Sequence, residues 1–215
     1  MSDEVKGNIT RELDQHNLRW CLTFCYYGVA LVSTELFKLP DAELCGSIGV
    51  DQEGQVCQAS CQMLSQEDYL GLLWTTLSEI PGVLLAMFVI EKVGRKRTIA
   101  YGLLIFVVAI LPLLLCIQSR TLLTVVLFVC RGMVAGVFQV AYVYTPEVYP
   151  THLRAIGLGC CGGVSRFGAM ITPIVAQVLV TVSVRYTALV YAGVASLAAV
   201  SALLLPIETG GRDME

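Results

Sequence analysis

Three ionisable side chains stand inside stretches that are otherwise hydrocarbon: Glu79, Arg131 and Arg166. A charge in that setting is costly and is by default a functional candidate: it can hold a counter-ion, meet a charged solute or carry a proton. Polar neighbours at helical spacing extend these positions. Thr75 precedes Glu79 by four residues, on the same face of a helix. Pro81-Gly82 follows, a pair that kinks a helix and exposes carbonyls to a cavity. Arg131, Ala135, Gln139 and Tyr142 fall on one stripe, and Thr23, Tyr27 and Thr34 on another. Glu79, Arg131, Gln139, Tyr27, Thr75 and Arg166 are therefore candidates for a polar path. A structural use is open as well: Glu79 could pair with Arg131 as a packing device, and the tyrosines could be packing or interfacial anchors.

A second group sits between apolar stretches. Tyr142 to Arg154 reads YVYTPEVYPTHLR, with an acid, two prolines and a base in nine residues, Pro146 to Arg154. The prolines discourage continued helix. Glu147 then closes one apolar segment and Arg154 opens the next. Glu91-Lys92-Val93-Gly94-Arg95-Lys96-Arg97 is a basic turn, which topology alone could produce. Gly94 and Glu91 go beyond that requirement and suit a tight helix-to-helix connection. Pro206 to Gly211 adds Glu208 on the same side. Exposed pairs among Glu91, Arg95, Arg97, Glu147, Arg154 and Glu208 would contribute only ~0–1 kcal/mol each. That is weak for a staple and suited to a gate between near-equal states.

The elements that must position these groups follow from composition. Of 215 residues, 56 % are hydrophobic and 14 % charged, with mean hydropathy +0.71; soluble domains carry about 25 % charged residues. A membrane protein is therefore expected. Six segments are long enough to cross a bilayer: Leu18–Phe37, Tyr69–Ile90, Thr98–Ile117, Leu122–Tyr144, Ala155–Thr181 and Val184–Leu205. The expected fold is an all-α membrane protein of six transmembrane helices. Its polar lead is residues 1–17, its helical domain 18–205 with a long loop at about 38–68, and its tail 206–215. The lead has no signal-peptide core. With both termini in the cytoplasm, nine Lys and Arg fall on the cytoplasmic side and three opposite, the bias that the positive-inside rule requires. On that orientation the Asn8-Ile9-Thr10 sequon is expected to be unused.

The long loop holds Cys45, Cys57 and Cys61 on the outer or luminal side, where one disulfide between two of them is expected, three free thiols being the alternative. The other cysteines read as small apolar residues. With two histidines and no ligand spacing, no metal or cofactor is expected, and no nucleophile–base pair points to an enzyme. A net charge of −3 does not suggest nucleic acid. Gly132 with Gly136, and Gly159 with Gly163, stand one turn apart and predict close helix–helix contacts, a hinge being the alternative.

Three of these stretches carry a resemblance. Gly94 to Arg97 resembles the loop signature of the major facilitator superfamily, and Tyr144 to Thr151 with Arg154 resembles its sugar- and organic-ion-porter motif. Pro206 to Gly210 is similar to the terminal Pro-Glu-Thr-Lys-Gly of that branch. Leu73 to Glu79 together with Tyr142 to Thr151 resembles the synaptic-vesicle-two-related, SVOP-like group. The resemblance runs from about Glu35 to Gly211 and implies helices seven to twelve of a twelve-helix carrier. It implies movement of a small polar or charged organic solute by alternating access, with the solute site between two halves. The expected partners are the lipid bilayer, the unidentified solute, and either a second copy or the other six-helix half. A truncated isoform that does not transport, and that associates with or regulates a full-length carrier, is the competing expectation.

Overall fold

The computed structural model describes residues 2–38, 66–115, 119–149, 151 and 153–205. Helix α1 covers Ser2–Lys38, α2 Gln66–Leu77, α3 Glu79–Val93 and α4 Arg95–Ile110; a 3-10 turn, Leu111–Leu115, continues α4. Helix α5 covers Arg120–Val148, α6 Arg154–Val182 and α7 Val184–Leu204. Six spans are long and apolar enough to cross a membrane, α2 and α3 together forming one of them. The described elements are all helical, as the six long apolar segments predict. The first helix reaches further than its apolar core, running back through the polar lead to Ser2.

Prolines account for the breaks. Pro81 has no N–H for the Leu77 carbonyl, and its ring crowds that oxygen, so α2 stops at Leu77. The ladder resumes at once, with Gly82 N–H donating to Ser78 O at 3.1 Å. Pro112 likewise falls where α4 tightens into the 3-10 turn. Pro146 departs from expectation: α5 runs through it to Val148. Only the bond to Tyr142 O is lost there, in the last turns of a long helix, and that cost is absorbed. The stop comes at Tyr149, held extended at φ −87° and ψ 135°, the region forced on a residue that precedes a proline.

Successive spans alternate in direction. The Gly94 turn and the Glu147–Arg154 connection lie at one end of the bundle, here the Gly94 end. Phe37, Asp68 and Arg120 meet at the other, the Arg120 end, where Arg120 Nη1 donates to Asp68 Oδ1 at 2.6 Å and to Phe37 O at 3.3 Å. Gly94 has φ 94°, a conformation that a side chain resists, so the tight α3–α4 turn needs glycine.

The packed centre is built by α1, α4, α5 and α7, with Leu22, Leu36, Leu103, Phe106, Val134 and Tyr191 among its fully enclosed side chains. Lipid removes most of the hydrophobic drive between helices, so close backbone approach must replace it. Helices α3 and α5 achieve this through glycine: a Cβ on Gly136 would stand 2.7 Å from Gly82 O, and one on Gly132 2.9 Å from Ser78 O. The contact predicted for Gly132 and Gly136 is therefore made. The one predicted for Gly159 and Gly163 is not, since nothing lies within 4 Å of a Cβ at either. That part of α6 is an open face. Leu84, Phe88, Val108, Leu197 and Val200 are exposed on other helices and form an apolar exterior suited to lipid.

Candidate functional site

Glu79, at the first turn of α3, reaches Arg131 of α5, with Arg131 Nε donating to Glu79 Oε1 at 2.8 Å. Tyr26 of α1 donates its hydroxyl to the other carboxylate oxygen, Oε2, at 3.1 Å. Arg131 Nη1 also donates to Ser33 Oγ on α1 at 3.3 Å. Three helices are thus tied by one polar cluster. The break after Leu77 lets Glu79 begin a new helix here, where its charge also suits the N-terminal end of the helix dipole.

The cluster is near mid-depth. Glu79 lies 13 residues after Gln66 and 14 before Val93, the limits of its span, and Tyr26 lies 13 after Leu13 and 11 before Phe37. At about 1.5 Å per helical residue, that is roughly 20 Å from either end of each. The pair is not sealed: the Glu79 side chain is 26 % exposed and that of Arg131 14 %. Each charge has a partner, yet the carboxylate borders open space.

Of the other predicted path residues, Tyr27 and Gln139 are exposed and Tyr26 packs edge-on against Tyr27 at 5.3 Å. Thr75 is fully buried and donates to Leu72 O at 2.9 Å. Arg166 is exposed on α6 and is not joined to the Glu79–Arg131 pair.

At the Gly94 end, Arg95 grips Glu147 with two bonds, Nε to Oε2 at 3.1 Å and Nη2 to Oε1 at 3.2 Å. This fork joins the start of α4 to the end of α5. Arg154 stands apart from it, its buried Nε without a hydrogen-bond partner among the described residues. Glu91 and Arg97 are exposed. Glu208 lies outside the described residues, as do Cys45, Cys57 and Cys61.

Sequence reasoning missed Tyr26, Ser33 and Arg19. Arg19 reads as a topology-setting charge, yet it is 3 % exposed. An aromatic row connects it to the central pair. Tyr26 stacks on Phe138 at 4.8 Å, Phe138 meets Tyr142 edge-on at 4.9 Å, and the Arg19 guanidinium lies 4.0 Å from the centre of the Tyr142 ring. The usable signal was the polar series Gln15, Arg19, Thr23 at four-residue spacing, one face of α1.

Sequence comparison identifies the family. The sequence profile of the Major Facilitator Superfamily matches residues 67–213. The chain belongs to the Major Facilitator Superfamily. Within the superfamily it is 49 % identical to the Synaptic vesicle 2-related protein of Pongo abelii over 193 residues, 89 % of this chain and 35 % of that one. It is 42 % identical over 201 residues to "Putative transporter svop-1" of Caenorhabditis elegans, covering 92 % of this chain and 38 % of that protein. Over 229 aligned residues it is 34 % identical to "Putative transporter SVOPL" of Homo sapiens, covering 99 % of this chain and 46 % of that one. The chain therefore spans between about a third and a half of the length of these relatives. It is an integral multi-pass membrane protein of a superfamily of transporters.

Proposed function

We propose that this chain is the carboxyl six-helix half of a secondary transporter that moves a small polar or charged organic solute by alternating access. The observation that carries the reading is the Glu79–Arg131 pair: matched charges at mid-depth, tied to three helices, with the carboxylate bordering an opening. A solute that competes for either charge would weaken the ties between α1, α3 and α5 and so couple binding to helix movement. The termini face the cytoplasm in this reading, which makes the Gly94 end the inner mouth. The Arg95–Glu147 fork is then half of the inner gate, and Tyr27, Gln139 and Arg166 face the second half across the path.

The test is solute uptake into proteoliposomes containing the protein that carries this chain as its second half, screened with labelled polar and charged organic solutes. Glu79→Ala and Arg131→Ala should each abolish the flux. Unchanged flux in both would remove these residues from the mechanism.

The open glycine face of α6 also favours a second reading, a non-transporting six-helix partner that covers that face with a second copy or with another half. Crosslinking in mild detergent separates the two: a strictly monomeric, folded species counts against the partner reading.

A further inference from the structure

Near the Gly94 end, three buried donor atoms of two residues lack acceptors among the described residues. Arg19 Nε and Nη1 and Gln15 Nε2 have no hydrogen-bond partner among the described residues, and both residues are 3 % exposed. They stand four residues apart on α1 and so share a face. A buried guanidinium is normally held by a carboxylate, phosphate or carbonyl, because donors removed from water and left unpaired are strongly unfavourable. What meets Arg19 here is the ring of Tyr142, at 4.0 Å. A ring face attracts the cation but takes few of its N–H bonds. Tyr142 is 46 % exposed, so one side of its ring covers Arg19 while the other looks out of the bundle. Among the described residues no carboxylate is placed to serve: Asp14 lies five residues from Arg19, about 140° around the helix, and His16 is engaged with Cys161 Sγ at 3.6 Å. Glu79 and Arg131 belong to the separate cluster, at the far end of the aromatic row.

We infer that Arg19, Gln15 and Tyr142 form a second, covered binding site for a small anion, carboxylate or phosphate, between the central pair and the Gly94 end. Among the described residues the site offers the free donors of Arg19 and Gln15, the Tyr142 ring with its hydroxyl, and the neighbouring Cys161 thiol. Rotation of Tyr142 uncovers the guanidinium, and the anion accepts the bonds from Arg19 and Gln15 that the ring cannot. The inference deepens the transport reading by giving the solute an acidic group, and it is tested by equilibrium binding so that it can fail or succeed without any flux.

Trp20 adjoins Arg19, and the other tryptophan, Trp74, can be removed as Trp74→Phe to leave a single reporter. In that background the whole chain, in nanodiscs of neutral lipid, is titrated with benzoate, inorganic phosphate and, as a control, choline at constant ionic strength. A saturable fluorescence change with benzoate or phosphate and none with choline is expected. Arg19→Gln should weaken binding at least tenfold, and Arg19→Lys, which keeps the charge, should weaken it less. Protection of Arg19 from phenylglyoxal by the same anions, read by peptide mass spectrometry on the unsubstituted chain, is expected even where Arg19→Gln does not fold. Repeating the titration in nanodiscs containing phosphatidic acid separates the sources: a signal already saturated there assigns the anion to a lipid headgroup, and an unchanged titration assigns it to a free solute. Equal responses to choline and benzoate, or unaltered binding and reactivity at Arg19, would overturn the site.

Discussion

Two glycine pairs in this chain share a spacing and differ in surroundings. Gly132 and Gly136 lie against the backbone of α3 at Ser78 and Gly82, whereas Gly159 and Gly163 on α6 meet nothing. Small residues four apart permit close approach, and the rest of the chain decides whether it happens. The first contact is completed inside the six helices and places Glu79, at the start of α3, beside Arg131 of α5. The second is unfilled, on the helix that also exposes Arg166. Among the described residues, one face of the bundle is therefore closed by its own helices, and another is left open on α6.

The difference can be broken from either side. Gly82→Ala forces a methyl into the Gly132 carbonyl, so α3 and α5 must part; a loss of about 3 kcal/mol, at the upper end for overpacking, is expected in thermal melts in detergent. Glu79→Ala leaves Arg131 half-enclosed without its carboxylate. Removing one partner of a fully buried pair costs about 3–5 kcal/mol, and the partial exposure here lowers the expectation to about 2 kcal/mol, with some recovery when Arg131 is also changed to Leu. Arg95→Ala removes the fork to Glu147, a partly exposed pair tied to two helices rather than three, and should cost about 1 kcal/mol, while altering transport rates more than melting temperature. Gly163→Val should leave the chain's melting temperature nearly unchanged, a shift in stability of at most about 0.5 kcal/mol, as at other open positions. The same change should weaken association with a second six-helix body in crosslinking; a large loss of stability in the isolated chain would show that the face is not open.

Much of the fold was legible because span length and hydropathy are one-dimensional signals. Span ends were less so. Pro81 and Pro112 fall where their spans are interrupted, whereas Pro146 and Pro173 lie inside the continuous helices α5 and α6. The Glu79–Arg131 pairing was readable as one of two options, since both residues are rare charges in apolar helices, while its geometry depends on glycines 82, 132 and 136 meeting across helices. Arg19 was hidden by position: close to the polar lead, it counts as a topology signal in sequence and is enclosed only when α1 packs beside Tyr142.

The central claim is that the face carrying Tyr27, Gln139 and the Glu79–Arg131 pair lines an aqueous path, distinct from the lipid-facing exterior. Cysteine accessibility in native membranes tests it most directly. Gln139→Cys and Val200→Cys, both at exposed positions, are compared with the unsubstituted protein for reaction with a membrane-impermeant thiol reagent. The account predicts rapid labelling at 139 and none above background at 200. An unreactive cysteine at 139, or equal labelling at both positions, would contradict it.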